Sequence, residues 1–453
     1  MRELEFLYLN GLKVGLKKVD KIPINDQVLT ECYGVRVGEF GLETYEPLDN
    51  SITNMPTTSW PFPQIFKGAR ANYCITRDED GDKVWKLTDN VLTLIKELDV
   101  ETYGVGEMFE FVDYGSFIIL SNGVVFIYGN VDAGAYFTSG ALEISPTVKT
   151  ICNFRGQLIG GNVTSDWYDC GSNSIIWGKI GSSDFSVGND NVAGYMNMLS
   201  PGEVVKVKSL NDSIIVYTTT SVYRLTPYEN TFGIKQMLDI GIPCITAVNG
   251  NLQNHLFVDT IGRLWSVNDE GVKKLDYSPY ISNISDPLVI YDHIKGDYYI
   301  SDLFNSFLLT RNGLSEIFQF VTAVWNDSGI NGYTYDSIDQ EFRLTTNFFD
   351  FGYSAMKTIF SIEVGGQYSN PLYYSISWRK DRSVDMETTE WTQLNDVGFG
   401  VRPISGTEFQ VNLKSISYEH VNIDYLKVRW KMTDIRNIRG IYAAPPRGQS
   451  YDS

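Results

Sequence analysis

Histidine, the side chain best suited to proton transfer near neutral pH, occurs three times, at His255, His293 and His420. The three are far apart, and none has a partner at metal-ligand spacing. His255 and His293 fall in or beside strand-forming runs, which predicts packed side chains rather than catalysts. The densest acidic cluster is Asp78-Glu79-Asp80-Gly81-Asp82. It has the acid density of a calcium loop, yet it lacks the EF-hand spacing and the distal bidentate glutamate. Asp-Gly is also turn chemistry, and a hairpin turn is needed at this point. No Gly-x-Ser-x-Gly, phosphate loop or dinucleotide fingerprint is present. The five cysteines, Cys32, Cys74, Cys152, Cys170 and Cys244, are odd in number and contain no CxxC pair. That pattern predicts reduced, mostly buried thiols. These residues point to no catalytic group, cofactor or metal. One cationic group does stand out near the end: Lys427, Arg429, Lys431, Arg436 and Arg439, with Arg447 beyond them. Lys427, Arg429 and Lys431 alternate, so a strand would put them on one face. They form either a solvated strand face or a docking face for an acidic partner, such as a neighbouring copy.

Composition indicates the elements that must carry these groups. Glycine (40), tyrosine (28) and phenylalanine (24) are abundant, 43% of residues are hydrophobic, and no stretch reads as a long amphipathic helix. An all-β protein with a large core follows. The net charge of −18 repels phosphates and argues against sequence-reading of nucleic acid, although it suits a channel wall along which DNA slides. The start, MRELEFLYLN, has charges where a signal peptide needs an apolar core, and no run is apolar enough to span a bilayer. The chain is expected to fold in a cytoplasm.

Residues 241–281 show the clearest unit: the runs CITAV, HLFVD, RLWSV and VKKLD, separated at Asn249-Gly250, Ile261-Gly262 and Glu270-Gly271. Four antiparallel strands with tight turns make a β-meander, the unit of a propeller blade. Similar units precede and follow it at roughly the spacing of blades, ~40–50 residues. They share runs and turns rather than residues. Longer alternating strands follow near Phe348. The expected architecture is an N-terminal arm with short strands (1–60), a β-propeller of six to seven degenerate blades (61–346), a β-sandwich (347–441) and a C-terminal arm (442–453). The seventh blade is expected between Val321 and Thr346. Asp78 to Trp85 loosely resembles the Asp-box turn of sialidase-like propellers. Sialidase chemistry, however, needs an arginine cluster, and Arg70, Arg77, Arg155, Arg224, Arg263 and Arg311 are dispersed.

Two regions together resemble the tail hub or nozzle proteins of short-tailed bacteriophages, also called packaged-DNA stabilisation proteins. The first is Gly241-Ile242-Pro243, HLFVD and Gly262-Arg263-Leu264-Trp265. The second is FFDFGYSAMKTIFSIEV, SISWRKDRS, Trp391-Thr392-Gln393-Leu394, ISGTEFQVNL, Leu426-Lys427-Val428-Arg429 and the run from Thr433 to Gly440. The resemblance covers about the last half of the chain, in patterned strands rather than an invariant motif. It implies a structural, non-enzymatic virion protein in a homohexameric ring below the portal and adaptor. DNA would pass through without sequence-specific binding, and tail fibres or spikes are further expected partners. The chain is shorter than the larger members. A glycan-binding or glycan-hydrolysing propeller is the alternative from a different class.

Overall fold

The computed structural model describes residues 5–17, 25–26, 28–45, 52, 54–103, 106–130, 134–138, 146–166, 168–188, 191–324, 330–334, 341–417 and 420–433. The expected C-terminal arm, Arg436, Arg439 and Arg447 lie outside them. The chain divides into two compact units. One comprises Pro47–Ser306 and Gln319–Asp336, the other Met1–Glu46, Phe307–Phe318 and Ser337–Ser453.

The first unit is a β-propeller. Blade 1 runs Gln64–Lys67, Asn72–Arg77, Gly81–Thr88, Val91–Asp99; blade 2 runs Glu110–Tyr114, Phe117–Ser121, Phe126–Asn130, Ala135–Thr138. Blade 3 is Thr147–Phe154, Gln157–Thr164, Ser174–Trp177, Gly194–Asn197, and blade 4 is Val204–Leu210, Ser213–Thr218, Val222–Tyr228, Thr231–Leu238. Blade 5 is Val248–Gly250, Asn254–Val258, Leu264–Asn268, Gly271–Lys274. Among the described residues of this unit, blade 6 contributes Leu288–Tyr291 and Tyr298–Ser301, and blade 7 contributes Gln319–Val324 and Ile330–Thr334.

The first strand of each blade is innermost, and the seven close into a ring. Neighbouring inner strands pack from blade 2 to 3, 3 to 4, 5 to 6, 6 to 7, and 7 back to 1. Side chains and turns complete the circle. Gln64 binds both backbone groups of Phe109 (Nε2 to O 3.1 Å; N to Oε1 2.8 Å), joining blades 1 and 2. Asn211 N donates to Leu252 O at 2.8 Å, joining blades 4 and 5. Apolar clusters lie between successive blades rather than within them. Ile75, Val84 and Leu98 of blade 1 meet Leu120 and Ile127 of blade 2, and Ile214, Val216 and Tyr223 of blade 4 meet Ile159, Ile175 and Trp177 of blade 3. Each sheet is therefore apolar on both faces, and its buried runs, such as Ser213–Thr218, are continuous rather than alternating.

The blades share a turn that residue-by-residue comparison hides. An Asx or Ser/Thr side chain at the end of the second strand accepts the following backbone N–H groups. Asp78 does so in blade 1, Asn122 in blade 2, Thr218 in blade 4, Asp259 in blade 5 and Asp302 in blade 6. Each of these side chains supplies the same acceptor, so the chemistry repeats while the residue varies.

Three expectations differ from what is observed. The run CITAV is not a strand, because Ile245–Ala247 form a 3-10 turn before the short strand Val248–Gly250. The hairpin turn also falls later than Asn249-Gly250. Gly250 pairs with His255, and Asn251 closes the turn, its Oδ1 accepting from Gln253 N (2.8 Å) and Asn254 N (2.9 Å). Furthermore, Phe342–Thr346 lies in no propeller blade, since it pairs with Leu29–Tyr33 and Glu408–Ser415 in the other unit.

That second unit is a sandwich. One sheet is ordered Val35–Val37, Leu42–Thr44, Val421–Met432, Lys357–Tyr368, Phe399–Gly406, with Glu5–Leu9 also paired to Val421–Met432. The other includes Leu314–Glu316, Leu29–Tyr33, Phe342–Thr346, Glu408–Ser415 and Leu372–Arg379 in that order. Inward residues alternate: Phe409, Val411 and Leu413 on one strand, Leu426, Val428 and Trp430 on another. A bulge opposite Gly365-Gly366 resets the alternation at Asp424-Tyr425, so both halves of the long strand bury their apolar residues.

Candidate functional site

The cationic strand face is present, and its charges are engaged. Lys427 and Arg429 lie on the same side of Val421–Met432, and Glu363 on the neighbouring strand sits between them, 3.7 Å from Lys427 Nζ and 2.9 Å from Arg429 Nη2. Arg429, with the Tyr425 hydroxyl and Lys427, holds the Glu363 carboxyl below the usual carboxylate range. The strand Glu5–Leu9 adds aromatic partners in register, Phe6 opposite Arg429 and Tyr8 opposite Lys427. Lys427 Nζ lies 4.5 Å from the centre of the Phe6 ring, and the Arg429 guanidinium lies 4.9 Å from that of Phe399. Phe6 and Tyr8 remain about half exposed, so the outer surface here is aromatic as well as basic. Lys431 continues the face and is partly exposed.

The acidic loop is a turn neutralised by its own neighbours. Asp78 Oδ1 accepts from Asp80 N (3.0 Å) and Gly81 N (3.2 Å), and Lys83 Nζ lies 2.5 Å from its other oxygen. Asp82 takes a two-point contact from Arg77 at 2.5 and 2.8 Å. No group of three or more potential metal ligands occurs among the described residues. The dispersed arginines are likewise spent locally: Arg155 on Asp212, Arg224 on the carbonyls of Asn268 and Asp269, Arg263 on Asp259.

The Gly-Arg-Leu-Trp turn is built around Asp259, which is 1% exposed. Its carboxylate accepts Ile261 N (3.0 Å), Arg263 N (2.9 Å), Arg263 Nε (2.6 Å) and Trp265 Nε1 (2.7 Å). Four donors, one of them charged, satisfy a buried carboxylate. Gly262 has φ +75°, and a Cβ there would meet Ser282 Cα at 2.7 Å, so the turn requires glycine.

His255 is fully buried. Its Nδ1 is 3.0 Å from the Tyr217 hydroxyl and its Nε2 is 3.0 Å from Ser209 O. The carbonyl accepts only, so Nε2 carries the proton and Nδ1 accepts from Tyr217. Burial, with Lys208 nearby, pushes the imidazole pKa well below its ordinary value. His293 contacts the Lys67 ammonium. All five cysteines are free, and burial raises the thiols, Cys152 to about 12.

Sequence reading missed the place where polar groups converge, the propeller axis. A cavity of about 520 Å3 is lined by residues from all seven inner strands or their ends. Glu110 of blade 2 lies 3.0 Å from Lys206 Nζ of blade 4 and takes a hydrogen bond of 3.2 Å from the Thr150 hydroxyl of blade 3. Lys206 Nζ also donates to Ile245 O at 3.1 Å. Lys208, two residues on, lines the same cavity, and burial together with Lys206 lowers its pKa to about 8. The only sequence signal was Lys206 and Lys208 alternating in an otherwise apolar strand, VVKVKSL.

No family model matches the chain, and no curated protein matches it. Solved structures that resemble it include one from the crystal structure of the mitotic checkpoint complex, 14% identical with a TM-score of 0.41, covering 65% of this chain and 95% of that one. PorZ of Porphyromonas gingivalis is 8% identical with a TM-score of 0.36, covering 63% of this chain and 35% of its own. The Pan2 WD40 domain of Neurospora crassa is 9% identical with a TM-score of 0.34, covering 62% and 84%. No described helix is long and apolar enough to cross a membrane.

Proposed function

We propose that the protein is a non-enzymatic structural component of a phage tail hub or nozzle. In this reading it assembles in the host cytoplasm into a homohexameric ring of the virion tail. The ring continues the DNA channel below the portal and adaptor and helps retain packaged DNA until ejection, and tail fibres or spikes are further partners. The net charge of −18 favours a wall along which DNA slides without adhering.

One observation supports the reading most. The strings that carry the resemblance lie largely on mutually paired strands of the sandwich unit. Lys357–Tyr368 pairs with Val421–Met432 and Phe399–Gly406, and Leu372–Arg379 pairs with Glu408–Ser415. The half-exposed Phe6 and Tyr8 above Lys427 and Arg429 supply an aromatic and cationic surface suited to an acidic neighbour, including another copy of this acidic chain. Native mass spectrometry and low-resolution imaging of the purified chain, and of particles containing it, test this directly. A six-copy ring with a central hole is expected. A chain that stays monomeric in assembled tails sinks the proposal, and glycan hydrolysis or saturable glycan binding that a single pocket substitution abolishes favours the glycan-directed alternative.

A further inference from the structure

We propose that the axial cavity of the propeller binds a small oxyanion, a phosphate- or carboxylate-bearing molecule, through Lys208, Asn249 and Tyr291. Its volume, about 520 Å3, is in the range of small-molecule sites. Most charges around it already have partners. Lys206 is matched by Glu110, Lys67 contacts His293, and Asp113 accepts the N–H groups of Ala69 (2.5 Å) and Gly115 (3.2 Å).

What remains is a set of donors. Lys208 Nζ has no acceptor among the described residues. Asn249 spends its Oδ1 on Gly250 N at 2.8 Å, and its amide hydrogens have no acceptor there. The Tyr291 hydroxyl accepts from Asn251 Nδ2 at 2.8 Å, which leaves its own proton to donate. Among the described residues, the cavity's unused capacity is therefore an ammonium, an amide and a phenol, while the lining carboxylates of Glu110 and Asp113 are already engaged. That set complements an oxyanion and repels a cation. Desolvation, and after it Lys206, disfavours the Lys208 ammonium and lowers its pKa, outweighing the pull of the Glu110 carboxylate that Lys206 already holds. A bound anion adds to that pull. The proposal does not depend on the role in a tail, since it concerns groups inside a single propeller.

The test is calorimetric titration of the full chain with inorganic phosphate and, separately, with citrate, at constant ionic strength in chloride. Saturable single-site binding is expected. It should weaken roughly tenfold or more in Lys208→Met, as the loss of a charged hydrogen bond predicts. Asn249→Ala and Tyr291→Phe should each weaken it several-fold, and Lys208→Arg should retain it. Lys235→Met, at an exposed lysine on the outer strand of blade 4, should change nothing. Saturation by phosphate alone identifies a phosphoryl ligand, and saturation by citrate alone a carboxylate. No saturable binding of either ion, or equal loss in Lys208→Met and Lys235→Met, overturns the proposal. If Lys208→Met fails to fold, lysine acetylation of the wild-type chain mapped by mass spectrometry decides. Protection of Lys208 by either ion supports the site, and unchanged modification refutes it.

Discussion

Lys206 Nζ lies 3.0 Å from Glu110 Oε1, an ion pair that joins the inner strands of two blades separated by a third. The Thr150 hydroxyl of the intervening blade donates to the other Glu110 oxygen and accepts Val207 N at 3.0 Å. One carboxylate thus fastens three consecutive blades at the axis. Both partners are mostly buried, with side chains 14% and 12% exposed. Lys206→Met and Glu110→Gln should each destabilise the chain by about 2–3 kcal/mol, because each leaves a buried charge unpaired. In denaturant titration the double variant should be less destabilised than the sum, with a coupling of about 1–2 kcal/mol. Strict additivity would mean that the pair does not act as a tie.

Asp259→Asn keeps the size of the side chain and removes the charge that Arg263 and Trp265 share. An amide has one acceptor oxygen where four donors converge, so donors are orphaned in a buried turn. A loss of about 2–4 kcal/mol is expected from the unfolding midpoint. Trp265→Phe removes only one of the four donors and should cost less than Asp259→Asn. The reverse order would contradict this account of the turn.

Acid should act on His255. The unfolded imidazole binds its proton around the ordinary value of 6.5, whereas the folded ring, buried beside Lys208 and Lys206, binds it only well below that. In the interval the unfolded state holds the extra proton, so stability is complete above 6.5 and falls as pH drops below it, by up to about 1.4 kcal/mol per pH unit. Urea midpoints measured between about pH 7 and pH 5 should show this slope in the wild type and a shallower one in His255→Gln. Equal slopes would remove His255 as the cause.

In the sandwich, Lys357 is fully buried and, among the described residues, has no carboxylate partner at hydrogen-bond distance. Its ammonium donates to Asp350 O (2.7 Å), Thr407 O (2.8 Å) and Tyr353 O. It fastens the segment around Phe351, whose ring stacks on Trp430 at 4.3 Å between centroids. Lys357→Met fills the space but leaves three carbonyls without that donor. A loss of about 3 kcal/mol or more is expected, accompanied by a change in near-ultraviolet circular dichroism as the Trp430 stack loosens. A variant as stable as wild type would show that water replaces the ammonium.

Much of the fold was legible because its causes are local. Runs such as Ser213–Thr218 and Val222–Tyr228 declare strands by residue type, and turns at Asp78 and Asp259 declare themselves through short polar side chains that cap backbone N–H groups. The packed role of His255 was likewise readable from the apolar run around it. The alternation of Lys427, Arg429 and Lys431 placed them on one face, as observed for Lys427 and Arg429 beside Glu363.

Sequence by itself determined the all-β class, the repeating four-strand plan and the alternation of the sandwich strands, since these follow from periodicity within a few residues. Tertiary structure decided the rest. Closure of the ring brings seven inner strands to one axis, and only then do Glu110, Thr150 and Lys206 meet, while Lys208 Nζ is left without a hydrogen-bonded acceptor among the described residues. Pairing across the chain assigned Phe342–Thr346 to Leu29–Tyr33 and Glu408–Ser415. Strand edges satisfy one another by backbone hydrogen bonds that nearly any residue can make, so the partner of a strand is selected by the packing of the whole sheet and not by its own residues.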